Sequence, residues 1–146
     1  MKIDVATAND ADLVVQLVNC LIEELGGGSL NRDLAASACL KIISDPGSGL
    51  ILIAREDGQA IGVCTLSFQD AIRTLGRYAI IQEMYVVPTF RSQAIGARLI
   101  ERAVAKARAH GCSIVELGTP PDGQRQEQFY RKVGFSPVGL RFRMRT

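Results

Sequence analysis

The segment from Glu83 to Leu99, Glu-Met-Tyr-Val-Val-Pro-Thr-Phe-Arg-Ser-Gln-Ala-Ile-Gly-Ala-Arg-Leu, constrains this chain more than any other. It begins as a run of apolar and β-branched residues, the composition of a strand. After Pro88 it becomes basic and rich in small residues, and it then takes up helical spacing. A strand that turns tightly into a helix gathers unpaired backbone N–H groups at one point, and such a point binds phosphate. A mixed α/β fold follows, with a strand and the next helix meeting at an anion-binding corner.

The rest of the chain supplies the elements around that corner. Ile3 to Ala6 reads as a first strand, and Thr7-Ala8-Asn9-Asp10 offers N-caps for a helix over Ala11 to Leu25. Leu13, Leu17, Leu21 and Leu25 recur at steps of four, which predicts one buried helical face. Gly26-Gly27-Gly28-Ser29 breaks this helix, and a second is expected over about Arg32 to Ser44, ended by Asp45-Pro46-Gly47. Leu50 to Arg55 and Gln59 to Phe68 form a hairpin across Glu56-Asp57-Gly58. Arg73 to Arg77 then leads into a long strand over Tyr78 to Val87, on which Ile81, Glu83, Tyr85 and Val87 are expected to share one face.

The helix after the corner runs over about Ile95 to Ala109, with Leu99, Ile100, Ala103, Val104 and Ala107 inward and Gly111 as its stop. A strand over Ile114 to Leu117, a helix over Gln124 to Val133 closed by Gly134, and short final strands complete the order. There is no repeat and no linker, so a single domain over residues 1–146 is expected.

Charge and composition exclude or disfavour several function classes. A formal charge of +2 gives no case for nucleic acid, and the basic residues beyond Arg98 (Arg102, Lys106, Arg108) read as a solvated helix face. Cys20, Cys39, Cys64 and Cys112 are widely spaced and there is one histidine, His110, so no metal site is expected. Free thiols, no apolar run of membrane length and no signal-peptide core lead to a cytoplasmic expectation. His110 reads as a helix C-terminal cap and Cys112 as core. Glu23 and Glu24, beside the glycine run, could draw a cationic amine, although exposed helix glutamates usually serve solubility.

The corner loop is neither of two common phosphate motifs. No Gly-Lys-Ser/Thr follows it, and it is not the first βα turn that a dinucleotide fingerprint requires. A second segment narrows the choice. Gln128-Phe129-Tyr130-Arg131-Lys132-Val133-Gly134-Phe135 resembles the Phe-Tyr-x-x-x-Gly-Phe ending of the GNAT family of N-acetyltransferases. Met84-Tyr85-Val86-Val87-Pro88 and the Arg-x-x-Ala-x-Gly-Ala loop fit the same family in the same order, and the resemblance spans about Ile3 to Phe135. One departure stands out. The family loop is usually Arg/Gln-x-x-Gly-x-Gly/Ala, and here Ala94 replaces the first glycine.

The resemblance implies an α/β (α+β) fold with a mixed, mostly antiparallel central sheet flanked by helices. It also implies acetyl-CoA as co-substrate and an amine as acceptor. Met84, Tyr85 and Val86 would pair with the pantetheine arm, and the N–H groups of Ser92, Gln93, Ala94, Ile95, Gly96 and Ala97 would hold the pyrophosphate with Arg91 alongside. Tyr130 matches the family's general acid. Glu83 is the candidate base, directly or through water; relatives often carry the carboxylate at the position of Gln82. Its alternative is a structural pairing with Arg73 or Arg77. The expected acceptor is a primary amine on a small molecule, with a protein lysine or N-terminus as the alternative. The rival readings are a non-catalytic acyl-CoA-binding or sensing module and a nucleotide-binding regulatory domain. Leu140 to Met144 could pair across a homodimer, or its alternating arginines could protect an edge.

Overall fold

Strands β2 (Gly49–Glu56) and β3 (Gln59–Ala71) form the central hairpin, with Glu56 opposite Gln59. Asp57 and Gly58 connect them, both at positive φ (49° and 79°). That is the two-residue turn whose twist matches the strands it joins. In the computed structural model, which describes all residues from Met1 to Thr146, β1 (Lys2–Val5) adds to β2 and β4 (Gly76–Val86) to β3, each antiparallel. A short β5 (Val115–Leu117) follows β4, giving the order β1-β2-β3-β4-β5. The chain falls into two compact units, Met1–Glu116 and Leu117–Thr146.

In the first unit, α1 (Ala11–Glu24) and α2 (Arg32–Ser44) pack with Ile51, Ile53, Val63 and Tyr85 in one core cluster. The leucine stripe predicted for α1 is not its buried face. Ala11, Val14, Val15 and Leu17 are buried, whereas Leu13 and Leu25 are 39% and 48% exposed. Four residues overshoot a 3.6-residue turn by about 40°, so three such steps swing Leu25 about 120° away from Leu13.

Helix α3 (Ile95–Ala109) buries Ile95, Leu99, Ile100, Ala103 and Ala107, with Val104 half-buried; of the basic residues expected on its solvated face, Arg102 and Arg108 are exposed and Lys106 is half-buried. Gly62 on β3 permits its close approach. A Cβ there would lie 3.1 Å from Leu99 Cδ1 and 3.2 Å from the Tyr85 carbonyl. His110 caps the helix: its N–H reaches the Lys106 and Ala107 carbonyls, and its ring stacks on Phe68 at 4.5 Å.

The strand β4 departs from simple alternation. Glu83 lies opposite Thr65, but Ile81 lies opposite Leu66, so Gln82 is an extra residue in a β-bulge. Thr65 and Leu66 face opposite sides of β3, and Ile81 and Glu83 therefore do as well. The expected common face of Ile81, Glu83, Tyr85 and Val87 is thus split at the bulge. Alternation read from the sequence assumes one residue per position, and the inserted residue breaks that count at the adjacent polar pair Gln82-Glu83.

The second unit contains α4 (Gln124–Lys132) and the C-terminal segment. The expected final strands are not formed: no strand follows α4. Val138, Leu140, Phe142 and Met144 are 86%, 85%, 92% and 86% exposed. Alternation supplies two faces, but a strand also needs a neighbour to satisfy its N–H and C=O groups. No helix of the chain is long and apolar enough to cross a membrane.

Candidate active site

The strand-to-helix corner is built from the end of β4, a 3₁₀ turn over Pro88–Gln93, and α3. Proline suits the first position of such a turn because its fixed φ is already helical and the N–H it lacks would be unpaired there. Ala94 joins the turn to the helix at φ 59° and ψ 18°, the left-handed region. This is the physical reason a glycine is expected at the position: an L-residue is strained there by about 1–2 kcal/mol. Ala94 adopts the conformation nonetheless. The first intrahelical bond runs from the Arg98 N–H to the Ala94 carbonyl at 3.1 Å. The N–H groups of Ile95, Gly96 and Ala97 therefore stand at the free end of α3, where the helix dipole favours an anion. Ser92 and Gln93 belong to the preceding turn.

The outer edge of β4 supplies the second part. Val87 N–H donates to the Ile61 carbonyl at 2.9 Å, and Tyr85 is paired with Val63 two residues earlier in the same register. Alternation turns the N–H and C=O groups of Met84 and Val86 toward the opposite edge. The neighbour on that edge is β5, which begins just beyond the bond from Ala79 N–H to the Ile114 carbonyl and is three residues long. Three residues span about 10 Å and do not reach Met84, five residues along from Ala79. Of the predicted Met84, Tyr85 and Val86, the first and third thus offer backbone groups outward, and Tyr85 bonds back into the sheet.

Tyr85 contributes its ring instead. The Arg91 guanidinium lies over it, 5.4 Å from the centroid. Burial, then Cys20 and Glu24 nearby, hold the Tyr85 phenol above its ordinary pKa, so it stays neutral. Arg91 is firmly engaged: Nε donates to the Val86 carbonyl at 2.9 Å, and Nη1 and Nη2 donate to Glu24 Oε1 and Oε2 at 2.7 Å each. Hydrogen bonds to Glu24 raise the Arg91 pKa further above its usual value. Glu24, considered from sequence as an attractor for an amine, is therefore a partner of Arg91. Nothing in the sequence signals a pairing across 67 positions.

Glu83 is half-buried and does not pair with arginine. Arg73 bonds Glu116 at 2.8 and 2.9 Å, and Arg77 donates to the carbonyls of His110 and Gly47. The partner of Glu83 is Thr65, whose side-chain oxygen accepts from the Glu83 N–H at 3.0 Å and donates to Oε2. Thr65 is 3% exposed, so this is a buried clamp on the carboxylate. Gln82 Nε2 reaches Ser67 Oγ at 3.3 Å. Ser67 and Thr65 share a face of β3, so the bulge sends the side chains of both Gln82 and Glu83 to that face. The sequence does not single out Thr65, because a threonine in a strand carries no distinguishing pattern.

Tyr130 sits in the last turn of α4, half-buried between two rings: Phe129 at 5.2 Å and Phe135 at 5.9 Å, both edge-on. The stop that follows explains the spacing of the motif. Gly134, at φ 111°, donates to the Arg131 carbonyl, and Phe135 N–H donates to the Tyr130 carbonyl at 2.9 Å. Such a stop wants a glycine at the left-handed position and an apolar residue after it that packs on the residue three from the helix end. Phe-Tyr-x-x-x-Gly-Phe meets both requirements, with Tyr130 as the residue packed upon.

A sequence model of the acetyltransferase (GNAT) family matches residues 18–135. Aminoalkylphosphonate N-acetyltransferase of Salmonella typhimurium (strain LT2) is 30% identical over 138 residues, covering 94% of this chain and 86% of that protein. An IAA acetyltransferase of Azospirillum brasilense is 39% identical over 88 residues, which is 60% of this chain but only 55% of that protein. An integron cassette protein from the mobile metagenome of Cole Harbour Salt Marsh has the same fold, with a TM-score of 0.86 at 19% identity over 99% of this chain and 89% of that one. A strand-to-helix anion corner, the tyrosine motif and these matches together make the chain a member of the GNAT family of acetyltransferases.

Proposed function

We propose that this protein moves the acetyl group of acetyl-CoA directly to a primary amine on a small molecule. The observation that carries the reading is the juxtaposition, within one strand–turn–helix, of the outward backbone groups of Met84 and Val86 with the free N–H groups of Ile95, Gly96 and Ala97. The first pair suits an amide-containing pantetheine arm, which can bond to a strand edge as another strand would. The N–H groups suit a pyrophosphate. A small-molecule acceptor is supported by the relative named for aminoalkylphosphonate.

The chemistry has two proton problems. An alkyl ammonium with pKa about 10.4 is neutral roughly once in a thousand at pH 7, a handicap of about 4 kcal/mol. Glu83, oriented by Thr65, is our candidate to take the amine's proton, directly or through a water. The leaving thiolate of CoA needs a proton, and Tyr130 is our candidate donor. Groups of this kind typically contribute ~10²–10⁴-fold each. The remaining acceleration comes from holding thioester and amine together.

The test is release of free CoA thiol from acetyl-CoA with a panel of aminoalkylphosphonates, aminoglycosides, polyamines and peptides. We expect turnover with a small amine, and a Tyr130→Phe variant that loses at least tenfold in rate while binding acetyl-CoA as before. Binding without release for every amine would favour a sensing module. An unchanged rate for Tyr130→Phe would remove that residue from the mechanism.

A further inference from the structure

We infer that Glu24, on the last turn of α1, is a positioning residue for the acetyl donor, acting through Arg91 on the end of β4. The inference rests on the acetyl-CoA reading above. Arg91 spends three of its five N–H donors on two partners, the Val86 carbonyl and the Glu24 carboxylate. Its position over the Tyr85 ring fixes the plane of the guanidinium. The fork–fork geometry at 2.7 Å is the strongest ion-pair arrangement available to these side chains. Arg91 has 31% and Glu24 45% of its side chain exposed, so the pair is partly shielded from solvent.

The consequence lies at the β4 edge. Val86 turns its N–H and C=O outward, and the C=O is taken by Arg91. Arg91 therefore holds the 86–87 peptide from the outer side, as the Val87 N–H bond to the Ile61 carbonyl holds it from the inner side, at the point where the donor edge ends and the 3₁₀ turn begins. Without Glu24, the guanidinium loses its bidentate partner, and the outward Val86 carbonyl loses the firmly held donor set against it. In this arrangement Arg91 serves the donor site as a strut rather than as a phosphate ligand.

The adjacent Glu23 provides a natural control. Its Oε1 accepts from Asn19 Nδ2 at 2.9 Å and from Ser29 Oγ at 3.0 Å, so it ties down the glycine-rich turn and not Arg91. Calorimetric titration with acetyl-CoA, and steady-state rates with the best amine, are measured for wild type, Glu24→Gln, Arg91→Gln, the double variant, Glu23→Gln and the exchanged pair Glu24→Arg/Arg91→Glu. We expect Glu24→Gln and Arg91→Gln each to weaken acetyl-CoA binding about tenfold and raise its KM with kcat nearly unchanged. The double variant should be no worse than either single one, and Glu23→Gln should bind normally.

The exchanged pair discriminates most sharply. It restores opposite charges and the melting temperature but places an acceptor opposite the Val86 carbonyl, so affinity should stay low. Equal affinity in wild type and Glu24→Gln overturns the inference, as does additivity of the two single losses. Restored affinity in the exchanged pair overturns the strut. No acetyl-CoA binding by wild type would instead overturn the donor reading on which the inference rests.

Discussion

Replacing Ala94 with glycine should stabilise this protein, and the size of the effect can be worked from the backbone. Ala94 sits at φ 59° and ψ 18°, where a Cβ is crowded against the following carbonyl. The strain is about 1–2 kcal/mol for an L-residue other than asparagine or aspartate. Glycine removes that strain but gives the unfolded chain more freedom, at a cost of about 0.4–1 kcal/mol. The methyl is exposed, so little packing is lost. The net gain lies between about 0 and 1.6 kcal/mol and is about 0.8 kcal/mol at mid-range. For a chain of this size that raises Tm by roughly 1–4 °C. Urea unfolding followed by far-UV circular dichroism measures it, with the midpoint rising at unchanged slope. Ala94→Val should move the other way by more than 1 kcal/mol, because a β-branched side chain is worse still in this region. A lower midpoint for Ala94→Gly at the same slope would refute the claim that the corner is strained.

Other outcomes follow from the same geometry. Gly134→Ala puts a Cβ at φ 111° and removes the stop that holds Phe135 on Tyr130, so it should cost about 1–2 kcal/mol in urea and lower the turnover rate. Thr65→Val keeps the shape but strips Glu83 of its partner; we expect a loss of about 1–3 kcal/mol and a reduced kcat, checked by unfolding and by the thiol-release assay. Burial pushes the Cys64 thiol up to about 12, with the Glu83 charge adding to it. A raised thiol pKa contributes stability that is fully present below the unfolded value of about 8.5 and is lost as pH climbs toward about 12. Iodoacetamide at pH 8 should accordingly label half-buried Cys20 well before Cys39, Cys64 or Cys112, as read by peptide mass spectrometry.

What was legible in the sequence is what local chemistry dictates. The helix over Ile95 to Ala109 is found with its ends in place because Gly111 marks its stop and its inward residues keep period 3.6. The Asp57-Gly58 hairpin is legible for the same reason, since the turn needs two positive φ values. The Gly134 stop carries Tyr130 with it. Less legible were features that arise only when strands pair. The Gln82 bulge shifts Glu83 relative to Ile81, and it exists only against the partner strand: the polar pair Gln82-Glu83 interrupts the apolar run without saying which residue is unpaired. Glu24 and Arg91 meet only because the end of α1 lies against the turn after β4, and Thr65 and Glu83 only because β3 pairs with β4. The final segment fails in the opposite way: Leu140 to Met144 alternates well, yet no neighbouring strand completes it.

On the proposed reading, the outer edge of β4 and the first turn of α3 hold acetyl-CoA. Backbone amide chemical shifts of isotopically labelled protein, followed through a titration with acetyl-CoA, test it residue by residue. Large, saturable shifts are expected for Met84, Val86, Ile95, Gly96 and Ala97, with smaller ones for Tyr85, whose register bonds it into the sheet, and for Glu83, whose N–H is held by Thr65. Saturable binding that leaves those five amides unmoved would contradict it.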